Sequence, residues 1–85
     1  MNTGPMTPDR IAEMIRAGLP GATVQVESDD NTHFGARVVA TQFAGLRPIA
    51  RHQLVYKTLG ALVGREIHAL SIEALTPEEI AAKHR

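Results

Sequence analysis

Residues 67–79 read Ile67-His68-Ala69-Leu70-Ser71-Ile72-Glu73-Ala74-Leu75-Thr76-Pro77-Glu78-Glu79. From Ile67 to Leu75 the run is strand-like. His68, Leu70, Ile72 and Ala74 share one face, and Ser71 and Glu73 share the other, which is the two-residue period of a half-buried strand. Thr76 then offers a helix cap, Pro77 fills the first helical position and Glu79 the third, a capping box. A short helix to about Lys83 is expected to close the chain. Upstream, Pro48 sits where a helix can start, and Ile49, Val55, Leu59 and Leu62 are read as one apolar stripe that Gly60 weakens and Gly64 ends. Phe43 to Arg47 carries Gly45 and reads as a loop. Before it, Phe34, Ala36, Val38 and Ala40 alternate with His33, Gly35, Arg37, Val39 and Thr41. Strand, helix and strand thus form a crossover of about the length a right-handed βαβ unit needs. As neighbours the two strands run parallel, and their starting ends, His33 and His68, lie at one edge of the sheet.

The rest of the chain completes the pattern. Thr7 caps a helix with Pro8 and Asp9 in its first turn and Ile11, Met14 and Ile15 at helical spacing. This helix is expected to end near Ala17, before Gly18-Leu19-Pro20-Gly21. Ala22 to Ser28 alternates about Val24 and Val26, and Asp29-Asp30-Asn31 is a turn by composition, so a hairpin joins this strand to the one from His33. The order is α-β-β-α-β-α. An α+β two-layer sandwich with a three-stranded mixed sheet and its helices on one face follows. Residues 1–5 read as a loose leader and 6–85 as one domain.

Composition narrows the function classes. The 85 residues hold nine Lys plus Arg against nine Asp plus Glu, so no global field draws the chain to nucleic acid or acidic lipid. It contains no cysteine, which excludes disulfides, thiolate zinc sites, thiol nucleophiles and a self-contained all-Cys iron–sulfur site. No apolar run approaches the ~20 residues of a membrane span, and no signal-peptide layout opens the chain. A cytoplasmic protein without membrane contact is expected.

The candidate chemistry rests on few residues. His68 is either a half-buried imidazole satisfied by a backbone carbonyl or a ligand or proton-handling group. His33 lies at the corresponding strand end and could approach it, although strict alternation puts His33 on the opposite face unless the turn twists it. Two imidazoles without thiols make an incomplete metal site that needs a partner to finish it. His52 reads as a packed helix histidine bonded to backbone or to Tyr56, and His84 as solvated. Gly18 to Gly21 formally matches a nucleic-acid-clamping G-x-x-G, but its Leu-Pro centre and the strand after it favour a turn. Arg47, Arg51 and Lys57 form a modest basic cluster, read as a solvated face or a holder of phosphate. Ser28 and Ser71 lack a base-and-orienter set, and no phosphate-cradling loop is present, so no enzyme is expected.

Two segments together resemble the BolA-like family, in its short bacterial branch: Phe43-Ala44-Gly45 with Arg51-His52-Gln53-Leu54-Val55-Tyr56, and Ile67 to Ile72 running into Leu75-Thr76-Pro77. The similarity extends from about Met6 to Ala82. The resemblance implies a class II KH-like fold and a partnership with a monothiol CGFS glutaredoxin. In it a [2Fe-2S] cluster is shared with the glutaredoxin and glutathione, His68 occupying the position of the imidazole ligand, with no cofactor on the isolated chain. Relatives often carry a second Cys or His ligand in the first hairpin turn. Here that turn reads Asp29-Asp30-Asn31-Thr32, leaving His33 as the candidate, with a nearby Asp or a labile site as the alternatives. The expected function is iron–sulfur trafficking or iron homeostasis. The alternative, also implied by the family, is a DNA-binding regulator of transcription in stress response or cell morphology, through Arg47, Arg51 and Lys57. Alone, the chain is expected as a monomer or weak homodimer.

Overall fold

A computed structural model describes residues 6–83; the Met1–Pro5 leader and His84 lie outside them. The chain runs α1 (Pro8–Gly18), β1 (Thr23–Glu27), β2 (His33–Val39), α2 (Pro48–Leu59), β3 (Ala69–Leu75) and α3 (Pro77–Lys83), with 3-10 turns at Thr41–Phe43 and Gly60–Leu62. The α-β-β-α-β-α order is the expected one. The caps form as the sequence implies. Thr7 Oγ1 accepts the N–H of Arg10 at 3.2 Å ahead of Pro8. Thr76 Oγ1 accepts the N–H of Glu79 at 3.1 Å, while Glu79 Oε1 accepts the N–H of Thr76 at 2.9 Å.

The sheet order is β1-β2-β3. β1 pairs antiparallel with β2 from Thr23↔Val39 to Glu27↔Gly35, and β2 pairs parallel with β3 from His33↔Ala69 to Val39↔Leu75. This is the mixed sheet that a hairpin followed by a crossover produces. One face, through Val24, Phe34, Ala36 and Val38, meets Ile11 and Ile15 of α1 and Val55 and Leu59 of α2, with Phe43 and Ile67 sealing the layer. Leu70, Ile72 and Ala74 pack against the same core. On the other face Gln25, Glu27, Gly35, Arg37, Ser71 and Glu73 line an open trough. The hydrophobic layer therefore has one side only, as the alternation requires.

Four details differ from the sequence reading. β3 begins at Ala69, two residues later than expected; Ile67 is fully buried and bridges to Val63 instead. Phe43, read as loop, is a fully buried anchor inside a 3-10 turn. Ile49 is 70% exposed: at 100° per residue it lies about 120° around the helix from Val55, off the inner stripe. Arg51, four residues before Val55, takes the inward position in its place. Finally, α3 buries no residue and is held by polar contacts, Glu79 to Arg51 and Lys83 to Glu73.

Candidate metal centre

The crossover brings the starts of β2 and β3 to one end of the sheet, and both histidines come with them. Their rings meet edge to face, with centroids 5.2 Å apart and an interplanar angle of 81°. Simple alternation had set them on opposite faces. The backbone at this end is tied together: the carbonyl of Thr32 accepts both the N–H of His68 at 3.0 Å and that of Ala69 at 3.2 Å. His68 precedes β3, whose regular pairing with β2 begins at His33↔Ala69, so the alternation of the strand does not fix its side chain.

Both rings are at the surface. His68 is exposed, and among the described residues neither of its ring nitrogens makes a hydrogen bond. The half-buried, carbonyl-satisfied form of His68 is therefore not what the chain adopts. His33 is 61% exposed, with Nδ1 2.8 Å from Asp30 Oδ2 and 3.1 Å from Thr32 Oγ1. Asp30 is held well below the usual carboxylate range, first by the backbone N–H of His33, then by that of Thr32, then by the His33 ring. It stays ionised beside the imidazole. The sequence reading offered a nearby Asp only as an alternative ligand; the signal for its contact with the ring was an Asp three residues before a strand-opening His.

Neutral imidazole nitrogen suits iron, zinc and copper. Two exposed imidazoles side by side offer nitrogen donors of the right chemistry for an iron ion, but only part of a coordination sphere. Among the described residues no group of three or more His, Cys, Asp or Glu side chains is placed to hold a metal. The donor set fits a metal group whose remaining ligands come from another chain.

The other candidate residues fall elsewhere. Arg51 is only 11% exposed in its side chain. Its Nε donates to the carbonyl of Leu46 at 2.8 Å and Nη1 to that of Ala74 at 3.0 Å, while Nη1 and Nη2 grip the Glu79 carboxylate at 2.6 and 3.1 Å. The pair pulls Glu79 down to about 2, helped by the N–H of Thr76, and raises Arg51. Arg51 ties α2, β3 and α3 together and has no free donor fork for phosphate. Arg47 and Lys57 are exposed and, among the described residues, form no ion pair. His52 is half-buried and makes no ring hydrogen bond there, so the expected bond to backbone or to Tyr56 does not form. Gly18-Leu19-Pro20-Gly21 is a helix end and turn, with Leu19 N–H bonded to the Ile15 carbonyl and Gly21 at φ +86°.

Comparison with known proteins places this architecture. The model of the family described as BolA-like protein matches residues 17–79. The chain belongs to the BolA-like family. A BolA homologue from Coxiella burnetii superposes with a TM-score of 0.80 at 38% identity, over 89% of this chain and 97% of that one. The BolA-like chain is also 39% identical over 75 residues, 87% of its length and 89% of the relative's, to an Acinetobacter guillouiae protein of the rpoN-murA intergenic region. A Vibrio cholerae relative named DNA-binding transcriptional regulator BolA is 46% identical over 54 residues, 64% of this chain. The match spans about half (51%) of that relative's length. BolA-like proteins are generally non-enzymatic, and no helix among the described residues is long and apolar enough to cross a membrane.

Proposed function

We propose that this BolA-like protein is an iron–sulfur trafficking or iron-homeostasis adaptor that completes the coordination of a [2Fe-2S] cluster held by a monothiol CGFS glutaredoxin with glutathione. His68 and His33 are its ligands. The observation that carries the reading is the exposed pair of imidazoles, 5.2 Å between centroids, at the end of a sheet in a chain without cysteine.

His68 presents an unbonded ring on a rigid support: its own N–H is fixed to Thr32, and the preceding Ile67 is sealed in the core. Little ordering remains to be done when a partner docks. His33 approaches from the hairpin and is steered by Asp30. Replacement of thiolate by imidazole on one iron raises the potential of a bound cluster and makes that bond sensitive to protonation. A bond that protonation can break suits an adaptor, which has to let its cargo go.

Mixing the protein with such a glutaredoxin, iron, sulfide and glutathione should give a heterodimer whose visible absorption and circular dichroism change in H68A and, to a smaller extent, in H33A. Identical spectra for the wild type and H68A would remove His68 from the ligand set.

A second reading is supported by the name of the Vibrio relative and by α2, whose twelve residues contain no Asp or Glu. Duplex DNA would then meet Arg47 and Lys57 but not Arg51. Affinity should fall steeply with salt, with each phosphate contact contributing about one unit of slope. Absence of binding at low salt retires this reading.

A further inference from the structure

The hairpin turn is built around the carboxylate that faces His33. Asp30 Oδ1 accepts the backbone N–H groups of Thr32 at 3.0 Å and His33 at 2.9 Å, and its other oxygen lies 2.8 Å from His33 Nδ1. Ser28 Oγ accepts the N–H of Asn31 at 2.9 Å and sits 2.6 Å from the carbonyl of His33. Asn31 takes φ +58°, a left-handed conformation that asparagine tolerates. The carboxylate is thus pinned from the backbone side while its free oxygen points at the ring.

An ionised carboxylate can only accept. The proton on the Asp30–His33 contact therefore belongs to Nδ1, and a neutral ring so protonated carries its lone pair on Nε2. No described residue bonds that nitrogen. Carboxylates that hold the second nitrogen of a ligating imidazole fix its tautomer and orientation and raise its basicity.

We propose that Asp30 is the positioning residue of this site: it holds His33 as the Nδ1–H tautomer, so that Nε2, which no described residue bonds, is the atom His33 offers to iron. The inference rests on the adaptor reading and deepens it, by assigning the ligating atom and the residue that selects it. It also sets Asp30 outside the ligand set, although an Asp near the hairpin is chemically able to coordinate iron. Both Asp30 oxygens have work to do in the turn, and freeing one would undo the tautomer of His33.

The test is D30N. Two backbone N–H groups pin the side-chain oxygen in the turn, so the amide nitrogen must face the ring, and as a donor it favours an unprotonated Nδ1. Imidazole nitrogen-15 NMR on the isolated protein at pH 8, above the ordinary histidine range of about 6.5, reads the tautomer directly. The wild type should show protonated Nδ1 and unprotonated Nε2 at His33. D30N should reverse them while the amide resonances of Thr32 and His33 stay in place. In the glutaredoxin complex, D30N should lose cluster to a chelator about 10–100-fold faster, the usual effect of removing such a carboxylate. A wild-type His33 found as the Nε2–H form, or as an even mixture, overturns the proposal without any variant. Cluster release from D30N at the wild-type rate overturns Asp30's role alone. A wild-type complex that takes up no cluster overturns the adaptor reading itself, and the role of Asp30 falls with it.

Discussion

Replacing Gly18 with alanine sets two effects of opposite sign against each other. Gly18 is the last residue of α1 and lies where α1 crosses α2. Its φ is not positive, so alanine should gain about 0.5–1 kcal/mol from helix propensity and a less mobile unfolded chain. Against this, an added Cβ would sit 2.5 Å from Thr58 Cγ2 and 2.9 Å from Thr58 Cβ. Rotation of Thr58 could move the methyl but not Cβ, and its hydroxyl is held by the Val55 carbonyl at 2.6 Å. The helices must therefore part, and such overpacking costs about 1–3 kcal/mol. The clash outweighs the gain over most of that range, leaving G18A less stable than wild type by up to about 2.5 kcal/mol. In a domain this small each kcal/mol lowers Tm by about 4–8 °C. Urea and thermal unfolding followed by circular dichroism measure it. G18A/T58S, which removes the methyl but keeps the hydroxyl, should recover part of the loss. A G18A protein as stable as wild type or more so would refute the claim that α1 and α2 touch through this glycine.

The remaining expectations concern anchors and acids. F43A should cost about 3–5 kcal/mol, because the ring is fully buried between loop and core; urea melts check this, and a loss below 1 kcal/mol would show that Phe43 is not an anchor. T76A should cost about 1 kcal/mol by removing the cap of α3, with faster hydrogen exchange at the Glu79 amide; unchanged exchange counts against the capping box. Glu79 is depressed to about 2 by Arg51 and the Thr76 N–H, Glu73 is lowered by Lys83 and then Arg37, and Asp30 is lowered by the turn amides. Groups depressed in the folded state contribute stability that is complete above their unfolded pKa of about 4 and is lost as pH falls through the folded value. The urea midpoint should hold from pH 7 to about 5 and decline from there to pH 3, with a shallower decline in E79Q. A midpoint level down to pH 3 would contradict the assignment.

Much of the architecture was legible because local signals agreed with one another. Thr7-Pro8 and Thr76-Pro77 with Glu79 marked two helix starts, period-two runs marked three strands, and the length between β2 and β3 implied a parallel pair. What was missed came from phase and from backbone detail. Arg51 lies on the same helical stripe as Val55 and Leu59, so the phase of α2 already turns it inward; its charge disguised it as a surface residue. Ile49 is the converse, an apolar side chain off the stripe. His33 and His68 meet because His68 stands just before β3, where the strand's alternation does not yet apply. The contact of Asp30 with the His33 ring, three residues on, was not legible because it depends on the particular conformation of the turn.

The two imidazoles are separated by 35 positions along the chain and become neighbours only after the last strand has slotted in beside the middle one. A nascent or misregistered copy therefore lacks the paired rings. If the proposed adaptor role holds, only a folded molecule could be loaded, and a bound metal group would in turn hold that final strand in its seat.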